Sequence, residues 1–341
     1  MIVVDHLTKH YGTFAAVNDL SFEIRDGGVY GFLGPNGAGK SSTMNIMTGC
    51  LSPTGGTVRI GGHDILKEPE AAKRLIGYLP EHPPLYTAET PAEYLRFVGE
   101  AKGLKGAELR RQIDEVIQLT GIGPVRDRLI SVLSKGYCQR VGIAQALLGT
   151  PGIIILDEPT VGLDPIQIIE IRDLIRDLGK THTVLFSSHI LSEVQSICEQ
   201  VLILSKGTLV AFDTPDKLEK LLTQSGGILI LTQAAADTVD SILNQVEGLS
   251  EWESTACGDG CLSVSIKAET QDLHETARRL FFAFAERQTA ILEMTVKRAN
   301  LEDVFLELTE DTRPLPAEAQ DRLPNQTDGV SGCENSEVKT T

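Results

Sequence analysis

The sequence predicts an α/β protein built on a parallel sheet, with a helical insert and a small C-terminal α+β domain of ferredoxin-like order. Three features carry that expectation. The runs "GGVYGFLG", "IIIL" and "TVLFSS" have the unbroken hydrophobicity of strands covered on both faces, and helix-like segments separate them. From about Pro84 to Thr150 the pattern is helical. After residue 226 the segments run strand, helix, strand, strand, helix, strand.

Each element has its own reason. To about residue 83, strand-like runs alternate with turns. Gly27 to Gly34 reads as a buried strand, Ser41 to Gly49 as a helix with Met44 and Met47 at helical spacing, and Gly56 to Gly62 as a further strand. In the insert, Thr90 is an N-cap, with Pro91 at the first helical position and Glu93 three residues past the cap. Leu109, Ile113, Val116 and Ile117 fall on one face of the next helix. Strands and helices alternate again from Pro151 to about Thr223. Beyond, "GILILTQ" and "AILEMTVKR" read as the first and last strands, and "LSEWEST" and "CLSVSIK" flank a Cys-Gly-Asp-Gly-Cys turn. Of the last domain's helices, one puts Leu273, Ala277, Leu280, Phe281 and Phe284 on a single stripe, and "LEDVFLELTE" closes the domain. The expected divisions are 1–225 with a helical part at about 84–150, then 226–310, then a tail at 311–341. The tail has no aromatic residue and is too polar to offset the entropy of ordering, so disorder is expected there.

Composition narrows the function. The 341 residues are 41% apolar, enough for a sizeable core. A net charge of −16 argues against nucleic acid as the main partner. No apolar run approaches the ~20 residues of a membrane span. Met1 to Asp5 lacks the charged and apolar regions of a signal peptide, so a cytoplasmic protein is expected, reaching a membrane only through another chain. The six cysteines are scattered and read as free thiols. Cys257 and Cys261 bracket a turn but have no second pair nearby to complete a zinc site.

The chemistry begins at "GPNGAGKSS", Gly34 to Ser42, which matches G-x-x-x-x-G-K-[ST] between a strand and a helix. Along Gly34, Pro35, Asn36, Gly37, Ala38 and Gly39, the glycines let the backbone curl around phosphate oxygens. The helix start adds positive partial charge. Lys40 is expected on the β- and γ-phosphates of a nucleotide and Ser41 on Mg²⁺, with Ser42 completing the loop. A glycine-rich turn with a solvated lysine is the plainer alternative, and the flanking strand and helix weigh against it. Far downstream, "IIILDE" ends at Asp157-Glu158. A carboxylate at the tip of a buried strand beside such a loop orients Mg²⁺, and its neighbour can take a proton from an attacking water.

Tyr11, the phosphate loop, "LSKGYCQR" (Leu133 to Arg140), "ILDEP", "GLDP" and "SSH" occur in the order of the ATP-binding-cassette (ABC) ATPases. The chain resembles that family from Met1 to about Leu222. The resemblance implies a phosphate-loop NTPase cassette with a RecA-like core and a helical subdomain. It implies that Tyr11 stacks on adenine with Val17 near the base. It also implies that Asp157 holds Mg²⁺, Glu158 is the general base and His189 contacts the γ-phosphate. Asp164 would cross a dimer interface, and Ser134, Lys135, Gly136 and Tyr137 would face the partner copy's γ-phosphate. Three positions depart from the family pattern. Lys135 and Tyr137 stand where the family writes glycine and glutamine, and Glu81 stands where it writes a glutamine near the metal.

"LPEH" (Leu79 to His82) and "LEDVFLELT" (Leu301 to Thr309) are similar to cassettes that serve type-two exporters, including gliding-motility and drug-efflux ATPases. That likeness implies ATP and Mg²⁺ as cofactors, a second copy bound head to tail, and a separate multi-pass permease contacted through His82 to Thr90. Two rivals stand beside it. A ribosome- or chromosome-associated ABC ATPase is disfavoured by the single phosphate loop and by the absence of sustained heptads between Lys40 and Asp157. A nucleotide-sensing scaffold with little turnover is disfavoured by the full set of Lys40, Ser41, Asp157, Glu158 and His189.

Overall fold

The computed structural model describes residues 1–221, 227–257, 260–268 and 273–297. The "LEDVFLELTE" segment and the residues after it, including the expected tail, lie outside these. The chain runs β1 (Ile2–Tyr11), β2 (Phe14–Ile24), β3 (Val29–Leu33), α1 (Lys40–Met47), β4 (Gly55–Ile60), β5 (His63–Asp64), α2 (Pro69–Arg74) and β6 (Ile76–Leu79). Three long helices follow, α3 (Pro91–Ala101), α4 (Gly106–Thr120) and α5 (Lys135–Leu147). Alternation then resumes with β7 (Ile153–Leu156), α6 (Pro165–Gly179), β8 (Thr183–Ser188), α7 (Leu191–Ile197), β9 (Gln200–Ser205), β10 (Thr208–Asp213) and α8 (Pro215–Leu221).

The central sheet has the order β10-β9-β3-β8-β7-β6. Its strands run parallel from β9 to β6, and only β10 is antiparallel. Every residue of β3, β7 and β8 is buried, as their unbroken apolar runs require. A parallel sheet gathers the carboxyl ends of its strands on one edge, where ligands bind in open α/β folds. The loops after β3, β7 and β8 all leave from that edge. A second sheet, β2-β1-β4-β5, is antiparallel and covers one face of the first. Their shared core includes Leu7, Leu20, Phe22, Phe32, Met44 and Leu185, with the Phe22 and Phe32 rings 5.9 Å apart.

The helical insert packs on the other side of the core through Tyr94, Leu95, Leu109, Ile113, Val116, Ile117 and Val141. The four apolar positions expected on α4 are all buried. Thr90 and Glu93 form the expected capping box: Glu93 N donates to Thr90 Oγ1 at 3.3 Å, and Thr90 N donates to Glu93 Oε2 at 2.9 Å. Lys102, just past α3, donates from Nζ to the carbonyls of Gln145, Ala146 and Leu148 at 3.1, 3.4 and 2.6 Å. It satisfies carbonyls that the end of α5 leaves without helical partners, and its charge suits that end of the helix dipole. Lys102→Met is therefore expected to destabilise the chain by about 1 kcal/mol. A fall in the denaturation midpoint with ATP affinity unchanged would bear this out.

The C-terminal part comprises β11 (Gly227–Thr232), α9 (Ala236–Leu243), β12 (Leu249–Cys257), β13 (Cys261–Ala268), α10 (Leu273–Glu286) and β14 (Ile291–Lys297). Its sheet is antiparallel in the order β12-β13-β11-β14, which is the ferredoxin-like arrangement. Ile228, Ile230, Val264 and Ile266 from the sheet pack against Val239, Ile242, Leu243, Ala277, Leu280 and Phe284 from the helices. One position differs from expectation. Phe281 is 55% exposed and stacks edge-on with Phe282, while Leu273, Ala277, Leu280 and Phe284 are the residues that face the sheet. Phe281 follows Leu280 by one residue, a rotation of about 100° that takes it off the packed stripe. Cys257 and Cys261 lie directly opposite each other across β12 and β13 as free thiols. Among the described residues, no group of three or more His, Cys, Asp or Glu could hold a metal. No described helix is long and apolar enough to cross a membrane.

Candidate functional site

The loop after β3 turns through Gly37 and Gly39, both at positive φ. Gly39 has φ +100°, and a Cβ there would come within 2.4 Å of the Ala16 carbonyl oxygen, so only glycine fits. Lys40 then begins α1 and is 6% exposed. Its Nζ donates to the carbonyls of Gly34 at 2.7 Å and Pro35 at 3.3 Å, and lies 3.4 Å from Glu158 Oε1. The ammonium thus bridges the loop and the acid at the end of β7.

The next strands bring three more groups to this edge. Asp157 is 2% exposed. Its Oδ1 accepts from Ser41 Oγ at 3.3 Å and from Ser187 Oγ at 2.6 Å. Burial pushes its carboxyl above the usual range, against the two hydroxyl bonds, and the charges of Glu158 and Glu81 push the same way. Ser187 Oγ also accepts from Glu158 N at 2.8 Å, so one serine of β8 clamps both acids of β7. Glu158 adopts φ +47°, a left-handed conformation uncommon outside glycine and concentrated at functional sites. Its Oε2 lies 2.9 Å from His189 Nδ1.

Lys40, Ser41, Glu158 and His189 line one cleft of about 370 Å³, together with Tyr11, Phe14, Ala16, Asn36, Gly37, Ala38, Gly39, Ser42, Glu81 and Val161; Asp157 and Ser187 are not among its lining residues and reach it through the Asp157–Ser41 bond. Tyr11 is half exposed at the rim, its hydroxyl 3.5 Å from Ser42 Oγ and its ring 5.3 Å from the Lys9 ammonium. Val17, expected near the same rim, is fully buried in the core instead. Phe14 and Ala16 take the wall position. The cause is the β1–β2 pairing, whose register shifts between Leu7 and Lys9 and again between Lys9 and His10. Each slip turns alternate side chains to the other face.

Ser134, Lys135, Gly136 and Tyr137 do not line this cleft. Ser134 caps α5, its Oγ accepting from Tyr137 N at 3.4 Å, and Asp164 caps α6, accepting from Gln167 N at 2.9 Å. The two caps are packed together. A Cβ on Gly136 would meet the Gln167 amide at 2.6 Å, and one on Gly162 would meet Lys135 Nζ at 2.3 Å. The Lys135 ammonium therefore lies over the backbone of "GLDP". Ser134 and Lys135 are exposed. Sequence reasoning passed over Phe14, Ala16, Val161 and the clamp Ser187. Of these, only Ser187, inside "SSH", sat within a motif.

A glycine loop at a helix start, a buried lysine and two consecutive acids at the end of one parallel strand define a phosphate-loop nucleotide-binding protein. Comparison with known proteins makes the assignment finer. The ABC transporter family model matches residues 17–161. The bacitracin transport ATP-binding protein BcrA of Bacillus licheniformis is 34% identical over 318 residues, covering 90% of this chain and 97% of that one. The linearmycin resistance ATP-binding protein LnrL of Bacillus subtilis is 31% identical over 310 residues, covering 91% and 98%. Among solved structures, a dimeric post-hydrolysis ATP-binding cassette, MJ0796, bound to ADP and Pi, superposes with a TM-score of 0.58 at 26% identity, over 63% of this chain and 98% of that one. The chain belongs to the ABC transporter ATP-binding proteins, a family of ATPases.

Proposed function

We propose that this chain is the ATP-hydrolysing subunit of an exporter, working as a head-to-tail dimer on a separate multi-pass permease. The observation that carries the dimer is the separation of the two half-sites. Asn36 to Ser42, Glu158 and His189 line the cleft, while Ser134 to Tyr137 lie outside it, with Ser134 and Lys135 exposed and Gly136 buried against Gln167. A second copy, turned about a two-fold axis, would bring its own Ser134–Gly136 segment to each cleft. The exporter role is supported by the near full-length relatives, whose names concern bacitracin transport and linearmycin resistance.

In this reading Tyr11 stacks on the base, and the loop from Gly34 to Ser42 wraps the phosphates. Lys40 leaves its carbonyl partners for the β- and γ-phosphates. The oxygen donors Ser41 and Asp157, held 3.3 Å apart, suit a hard cation, and Glu81 lies on the same wall. They would hold Mg²⁺, which neutralises phosphate charge when bound. Glu158 takes the proton of the attacking water, and His189, 2.9 Å from it, is placed to meet the γ-phosphate. The transported molecule touches none of these residues. The test is purification from membranes: a multi-pass membrane protein should copurify, and ribosomes or DNA in its place would overturn the transport reading.

Lys135 refines the dimer. Its ammonium can leave Gly162 for the partner's γ-phosphate, a charge-assisted bond. Lys135→Gly is expected to weaken ATP-dependent dimerisation about tenfold. Sedimentation with MgATP would measure it, and an unchanged dimer constant would leave the lysine in its intrachain position.

A further inference from the structure

We propose that Glu193 is a positioning residue that locks the Glu158 loop to the His189 loop; this deepens, and rests on, the catalytic reading of those two residues. Glu193 lies in the first turn of α7, four residues after His189, and is 2% exposed. Burying a carboxylate so deeply is costly unless it is well paired. Its Oε2 accepts from Thr160 Oγ1 and from Ser188 Oγ, each at 2.8 Å. Thr160 follows Glu158 by two residues on the loop after β7, and Ser188 immediately precedes His189. One oxygen atom therefore ties together the two loops that carry the proposed base and switch. Ser188 Oγ also accepts from Ile190 N at 3.0 Å, so both neighbours of His189 are held.

The second oxygen, Oε1, is buried and has no hydrogen-bond partner among the described residues. An apolar side chain would serve packing alone at lower cost. A carboxylate retained with one bare oxygen is explained by the acceptor it presents to two loops. The two loops are thus joined twice: at the cleft through Glu158 and His189, and behind it through Thr160, Glu193 and Ser188. When nucleotide engages the front bridge, the rear bridge keeps the base and the histidine in register. Small errors in such placement are expensive, since a shift of about 1 Å can cost on the order of 100-fold in rate.

The test is steady-state ATP hydrolysis by the full chain and its variants. Glu193→Ala should lower kcat on the order of 100-fold and leave KM for ATP within about threefold. Glu193→Gln, which keeps an acceptor oxygen in the same place, should recover to within about threefold of the parent. In a His189→Ala background, Glu193→Ala should add little, because both act on one unit. Should Glu193→Ala fail to fold, Thr160→Val decides, with an expected fall in kcat of about tenfold at unchanged KM. A normal kcat, a glutamine variant as poor as alanine, or losses that multiply with His189→Ala would each overturn the proposal. Glu158→Gln, run alongside, separates the two readings. If it turns over normally, the assignment of the base fails. If it is inactive while Glu193→Ala is normal, only the role of Glu193 fails.

Discussion

Glu158→Gln is expected to cut steady-state ATP turnover by about 10³-fold while ATP binding persists. The amide keeps the shape of the side chain but cannot take a proton from water. Its surroundings make this a clean test. Glu158 is 7% exposed, with Lys40 Nζ at 3.4 Å and His189 Nδ1 at 2.9 Å. Removing its charge frees the Lys40 ammonium for phosphate, so affinity for ATP should hold or rise. Phosphate release and nucleotide binding, measured on one preparation, give both halves of the result. A variant that hydrolyses ATP at the parent rate would show that another group is the base.

Lys40→Met acts on the other member of the pair and on the opposite step. ATP affinity is expected to fall at least about 100-fold, the loss of one charge-assisted contact of about 3 kcal/mol. The folded state should suffer too. Lys40 is the ammonium beside the buried Glu158 carboxylate, and methionine leaves that acid facing His189 alone. Breaking a buried pair from one side is costly, typically by about 3 kcal/mol or more. The double variant Lys40→Met, Glu158→Gln should therefore recover stability without recovering affinity. Calorimetric titration with ATP and denaturant unfolding would separate these terms. Unchanged ATP affinity in Lys40→Met would remove the lysine from the phosphate site.

What the sequence made legible was whatever depends on short spacing. The phosphate loop, the acids ending "IIILDE" and the Thr90 capping box each need a few residues in fixed order. The cleft does bring Lys40, Ser41, Glu158 and His189 together. The parallel strands were legible because burial on both faces leaves an unbroken apolar run. What escaped depends on register and on contacts between distant segments. Val17 and Ala16 are neighbours in a hairpin with irregular pairing, and no periodicity says which one meets the cleft. Leu280 and Phe281 are both apolar, so an apolar stripe takes in either, and only the packed helix shows that Leu280 is the one that faces the sheet. Glu193 belongs to no motif at all. Its one sequence signal is an acid in the first turn of the helix after "SSH", where acids are common for ordinary dipole reasons.

The strand order also governs how this molecule is made. β3, which leads into the phosphate loop, takes its neighbours from β8 and β9, with Val29 beside Val184 and Tyr30 beside Gln200. During synthesis the apolar segment Val29–Leu33 therefore waits for well over a hundred residues before either partner has emerged. At about 5–20 residues per second that is a delay of many seconds, with a strand of high β-propensity unpaired. Of the residues that line the cleft, His189 is the last to leave the ribosome. The early antiparallel sheet, β1, β2, β4 and β5, shares a core with Tyr30 and Phe32 of that segment, and a ligand that binds only the folded chain adds stability only once its whole site has formed.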